Sequence, residues 1–132
     1  MDNERCVERL LLEWRKHPRL ICCVDFDDTA FDWHDTGNSH KVVLDLIREC
    51  QKLNFYIVMW TASDPERFPF IQEFMRNAGI DIASINENPI ELPFGNHKKI
   101  YYNILLDDRA GLGASVAILQ ETIRRIKEET EQ

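Results

Sequence analysis

The stretch CVDFDDTA, residues 23–30, places Asp25, Asp27 and Asp28 within four positions, directly behind an apolar run. Carboxylates repel one another, and charge is costly next to a core. A second acidic pair, Asp107-Asp108, closes the apolar segment YYNILL, residues 101–106. Gathered at one place, these groups cannot all stay ionised without a cation. Their donors are all oxygen and no soft ligand accompanies them, which points to Mg2+. The first cluster reads as one half of a metal and phosphate site.

What would gather them is the order of elements. Val7, Leu10, Leu11 and Trp14 recur at helical spacing, so residues 3–16 predict an amphipathic helix that His17-Pro18 ends. Leu20–Val24 is a continuous apolar run, the pattern of a strand covered on both faces. A helix is expected over 40–53, capped by Ser39 or Asn38, and a second buried strand over Phe55–Trp60. Asp64-Pro65 reads as the start of a helix. Phe70, Ile71, Phe74, Met75 and Ala78 of that helix are expected to face inward, and Gly79 stops it. Ile80–Ile85 and residues 101–106 predict two more strands, with a loop over 86–97 and a last helix over 112–130. Met59, Trp60 and Phe74 are expected in the core. Strands alternating with helices imply an α/β fold: a three-layer, Rossmann-like parallel sheet with helices on both faces. In such sheets, ligands bind beyond the carboxyl ends of the strands. Asp25, Thr61 and Asp107-Asp108 each follow a strand, so one edge should collect them.

Bulk properties narrow the class. The 132 residues, 44% of them apolar, fit a single globular domain over 1–132. The net charge of −7 argues against nucleic acid as the partner. It does not exclude a phosphorylated substrate, because a bound cation reverses the local field. Cys6, Cys22, Cys23 and Cys50 show no zinc spacing and suit a reducing, cytoplasmic setting. The histidines of DWHDTGNSH match no usual zinc pair either, and a surface loop is the better reading. The charged N-terminal stretch lacks a signal-peptide core, and no apolar run approaches membrane-spanning length, so no membrane association is expected.

The order of these groups resembles the haloacid dehalogenase (HAD) superfamily of phosphohydrolases. DFDDT is similar to its first motif, WTAS to its second, the lysine of NHKKIYYNILL to its third and LLDDR to its fourth, across residues 20–109. The resemblance implies Asp25 as the nucleophile that forms an aspartyl-phosphate, and Asp27 as general acid and then general base. It implies Mg2+ held by the Asp25 carboxylate, the Asp27 backbone carbonyl and a fourth-motif aspartate. Asp108 is favoured as that ligand with Asp107 orienting the lysine, and the reverse stays open. Thr61 would hydrogen-bond a phosphoryl oxygen. Lys99, with Lys98 as the alternative, would neutralise charge beside Asp25. Asp28 stands where the family often has glycine, and is expected to serve the turn and not the chemistry.

Neither inter-motif segment, 30–60 or 61–99, leaves room for a cap domain, so the resemblance is to the small capless type. An open site suits a bulky or macromolecular phosphate ester, or needs a second copy of the chain as its lid. Trp33 and His34 are candidates to line the entrance, and Arg109 to meet an anion. A reading from another class is a non-catalytic phosphoacceptor or phosphate-binding module, of receiver-like or degenerate HAD type.

Overall fold

The computed structural model describes residues 2–91 and 100–131. The N-terminal helix α1 spans Asn3–Lys16 and buries Val7, Leu10 and Leu11. Asp2 caps it by accepting the Glu4 N–H at 2.9 Å, one of the donors a helix start leaves unsatisfied. Strand β1 (Ile21–Asp25), helix α2 (Lys41–Lys52) and strand β2 (Tyr56–Trp60) follow. A 3-10 turn, Pro65–Arg67, leads into α3 (Phe68–Asn77), with proline at the turn's start where its missing N–H is harmless. Gly79 ends α3 with φ of +79°, a conformation other residues resist. The short β3 (Ser84–Ile85), β4 (Ile104–Leu106) and the long α4 (Leu112–Thr130) complete the chain.

The four strands form one all-parallel sheet in the order β3-β2-β1-β4. Among the described residues this is a small Rossmann-like α/β fold with helices around the sheet and no cap. Cys22, Val24, Ile57 and Met59 point into the main core, and among the described residues all four helices send their buried apolar side chains to that cluster. Ile21, Cys23 and Val58 on the other face pack with Tyr56, Ile100 and Leu105. The expected three-layer form is therefore weighted to one face in the described residues. No helix among them is long and apolar enough to cross a membrane.

Several local expectations are corrected. Strand β3 starts at Ser84 and not at Ile80. The Ile80 N–H closes the end of α3 on the Met75 carbonyl, and Gln51 Oε1 takes the Asp81 N–H at 2.6 Å, so neither is available to a ladder. Strand β4 starts at Ile104: Asn103 still donates its N–H to the Ile21 carbonyl at 2.8 Å, but its side chain and not its backbone returns the bond, accepting the Ile21 N–H on Oδ1 at 2.7 Å. His40, not Ser39 or Asn38, occupies the cap position of α2, in a left-handed turn; Asn38 Oδ1 accepts its N–H at 2.9 Å. Trp60 is 42% and Phe70 47% exposed, so neither is core. Trp60 closes the strand at the sheet edge, while Phe70 packs from the surface against Phe31 and the buried core residue Phe26.

Candidate functional site

Parallel register decides which side chains meet. Asp25 pairs with Trp60, Val24 with Leu106 and Met59 with Ile85. The residues next in sequence, Thr61, Asn86 and Asp107, therefore emerge beside Asp25 at one edge of the sheet. Asp25, Asp107 and Asp108 each offer a carboxylate oxygen, and these oxygens lie within 4.8 Å of one another. Oxygens bound about 2.1 Å from one Mg2+ lie up to about 4.2 Å apart, so small side-chain motions complete such a triad. The donor set is hard oxygen throughout, and it fits that ion. Both aspartates of LLDDR reach the group.

The crowding has an electrostatic signature. Burial raises the Asp25 carboxyl to about 7, Asp107 and Asp108 push the same way, and the Thr29 hydroxyl opposes them. Beneath it on the same face, burial pushes the Cys23 thiol up to about 12, with Asp107 and then Asp25 adding to the effect. A cation placed among the three carboxylates would reverse both repulsions.

Thr29, to which the sequence reading gave no role, sits at the middle of this edge. Its Oγ1 is 3.2 Å from Asp25 Oδ2 and 3.3 Å from Asp108 Oδ1, and it accepts the Asp108 N–H at 3.0 Å. One hydroxyl proton is thus shared between two carboxylates, in a side chain with no exposed surface. Its position as the last letter of DFDDT was the available signal.

Asp27 is placed differently. Its carboxylate lies outside the gathered three and is held bidentately by Arg67, Nη2 to Oδ1 at 2.8 Å and Nη1 to Oδ2 at 2.7 Å. Arg67 Nη1 also donates to Ser63 Oγ at 2.7 Å. The guanidinium lies near four aromatic rings, closest to Trp33 at 4.7 Å from its centroid, then Phe26, Phe70 and Phe31. Arg67 escaped the sequence reading because nothing in its spacing separates it from a surface arginine at a helix start.

Thr61 is buried and doubly tethered to Asn86: its N–H donates to Asn86 Oδ1 at 2.9 Å, and Asn86 Nδ2 donates to its carbonyl at 2.8 Å. Its hydroxyl accepts the Ser63 N–H at 3.0 Å, which engages a lone pair and leaves the proton to donate elsewhere. Asp28 adopts φ of +61° and accepts the His34 N–H at 3.2 Å, as well as pairing with His34 Nδ1, so it holds its own turn while also lining the acidic cleft. Asp25, Asp27, Asp107 and Asp108 line a cleft of about 360 Å3. Trp33, His34 and Arg109 line it as well. Lys98 and Lys99 lie outside the described residues.

Two other features carry less chemistry. Asp28, Asp32 and His40 also bring ligand atoms within 4.8 Å, but the Asp32 oxygens already accept the Thr36 and Gly37 N–H groups of their own loop. A hollow of about 400 Å3 between α2 and α4 is lined by Asp45, Glu49, Arg124 and Lys127. Each of these is engaged in an ion pair, so no group there converges on a ligand.

The chain matches no protein-family model and no curated protein. Among solved structures it is similar to a conserved protein from Bacteroides thetaiotaomicron, at 20% identity and a TM-score of 0.63. The similarity covers 78% of this chain and 91% of that one, and it bears on the fold alone.

Proposed function

We propose that the chain is a Mg2+-dependent phosphomonoester hydrolase of HAD type, working through an aspartyl-phosphate on Asp25. The observation that carries this reading is the meeting of Asp25, Asp107 and Asp108 within 4.8 Å at the carboxyl edge of a parallel sheet. Asp25, Asp108 and Asp107, with the Asp27 backbone carbonyl, would hold the ion. When bound, the ion neutralises charge on the phosphoryl group and keeps Asp25 deprotonated.

In the first step an Asp25 carboxylate oxygen attacks phosphorus, the bond to the leaving oxygen breaks, and Asp27 supplies that oxygen's proton. In the second, water attacks the phosphorus, its proton passes to Asp27, and the bond to Asp25 breaks with its electron pair returning to the carboxylate. Thr61 donates its hydroxyl proton to a phosphoryl oxygen, and Lys99, with Lys98 as the alternative, would supply the cation that neutralises the transferred charge. The open rim suits phosphate on a bulky or macromolecular substrate, and a second copy of the chain is the alternative cover. We place the protein in a reducing, cytoplasmic setting, where its buried cysteines behave as small apolar residues.

Hydrolysis of 4-nitrophenyl phosphate tests the reading. Turnover should require Mg2+, stop with EDTA and vanish in Asp25→Asn. A well-folded wild type that neither turns over nor takes up phosphate in Mg2+ would overturn it.

One observation favours the second reading, a non-catalytic phosphoacceptor or phosphate-binding module. Both Asp27 oxygens are taken up in the fork with Arg67, so neither is held in reserve for a leaving group. Stable phosphorylation of Asp25 from a small phosphodonor such as acetyl phosphate, without turnover, would establish it.

A further inference from the structure

The Arg67–Asp27 pair lies outside the carboxylate triad, and the assigned roles do not account for it. The guanidinium grips both Asp27 oxygens, at 2.7 and 2.8 Å, and ties them to Ser63 Oγ. Ser63 in turn donates its N–H to Thr61 Oγ1. One arginine therefore joins the loop after β1 to the loop after β2, the two segments that flank a bound phosphoryl group in the reaction above. Its own place is set by Trp33, Phe26, Phe31 and Phe70, whose rings surround a cation well. The Arg67 side chain is only 20% exposed and that of Asp27 29%, so water screens the pair incompletely. A fork-to-fork pair fixes the plane of a carboxylate as well as its position.

We infer that Arg67 is a positioning residue for the second half of the reaction: it presents Asp27 as an oriented carboxylate, the form that accepts a proton from the water attacking the phosphoenzyme. This rests on the hydrolase reading. In that step the new bond joins the water oxygen to phosphorus, the bond that breaks is the one to Asp25, and the proton arrives on Asp27. Formation of the phosphoenzyme from an activated aryl phosphate asks little of Asp27, because nitrophenolate leaves without a proton. Loss of Arg67 should therefore separate the two steps.

The test is rapid-mixing kinetics with 4-nitrophenyl phosphate and Mg2+, with acid quenching and intact-protein mass spectrometry to count phosphorylated chains. Arg67→Ala should show a burst of nitrophenolate near one equivalent per chain, followed by turnover slowed on the order of ten- to a hundredfold. Phosphorylated protein should accumulate, and millimolar guanidinium should speed the slow phase alone. Arg67→Lys keeps a cation among the rings but cannot fork, so it should accumulate phosphoenzyme as well; it guards against an Ala variant that fails to fold. Equal loss of both phases in Arg67→Lys, or unchanged turnover in either variant, would overturn the inference while leaving the hydrolase reading intact. A wild type that forms phosphoenzyme without turning over, or that does neither, removes the hydrolase reading, and this inference falls with it.

Discussion

Thr29 and Asp25 show how much one side chain controls at this edge. Thr29→Val keeps the shape but leaves the Asp108 N–H without its acceptor and both carboxylates without their shared proton donor. Loss of a buried partner of this kind costs about 1–3 kcal/mol, so chemical denaturation should report a drop of that order. An unchanged midpoint would show that the hydroxyl is idle. Asp25 predicts a pH effect in metal-free protein. Between the usual aspartate value and about 7, the folded state keeps a proton that the unfolded chain has released. The contribution of this group to stability therefore declines as pH rises through that window. In EDTA, the Tm of Asp25→Asn should gain on wild type from about pH 4.5 to about pH 7.5. A constant offset would contradict the raised carboxyl, and titrating groups remote from this edge cancel in the difference.

At the scale of elements, the two-residue strand β3 is too short to anchor the edge alone. Asn86 extends it: its backbone N–H bonds to the Met59 carbonyl, and its side chain makes the reciprocal pair with Thr61. It does so in a left-handed conformation, φ +57°, that asparagine tolerates better than most residues. Asn86→Ala should cost roughly 1–3 kcal/mol through the orphaned Thr61 groups and the strained turn. Asn86→Gly relieves the turn and not the pairing, so it should recover only part of the loss in the same denaturation experiment. Equal stability of the two variants would mean that the backbone conformation contributes nothing. Amide exchange at Thr61 should accelerate in both.

For the whole molecule, a ligand that binds only the folded edge must stabilise all of it. At Mg2+ a hundredfold above its dissociation constant, the gain is about 2.7 kcal/mol, which calorimetry reads as a Tm rise of several degrees. EDTA should reverse it, and Asp108→Asn should abolish most of it. A Tm indifferent to Mg2+ in wild type, even with orthovanadate or phosphate present, would end the metal assignment. Net charge of −7 predicts that raised ionic strength alone gives only a small change, since the folded surface already pairs acids with arginines along α4.

The sequence alone carried the architecture and the acidic edge. Buried parallel strands must be nearly continuous apolar runs, so LICCV and FYIVMW announced themselves. Parallel strands joined by helical crossovers share one carboxyl edge, so the residue after each run had to lie near the residue after the next. Asp25, Thr61 and Asp107-Asp108 were legible for that reason. Strands β3 and β4 were overextended because an apolar segment does not record which ladder bonds a side chain will take over: Gln51 Oε1 accepts the Asp81 N–H, and Asn103 Oδ1 accepts the Ile21 N–H. The tertiary structure alone decided that Arg67 would close on Asp27 across 40 residues and Asn86 on Thr61 across 25. Periodicity encodes the direction of a side chain relative to its own element. A pair between two loops depends on where the packed sheet and α3 deliver them, and no local pattern contains that distance.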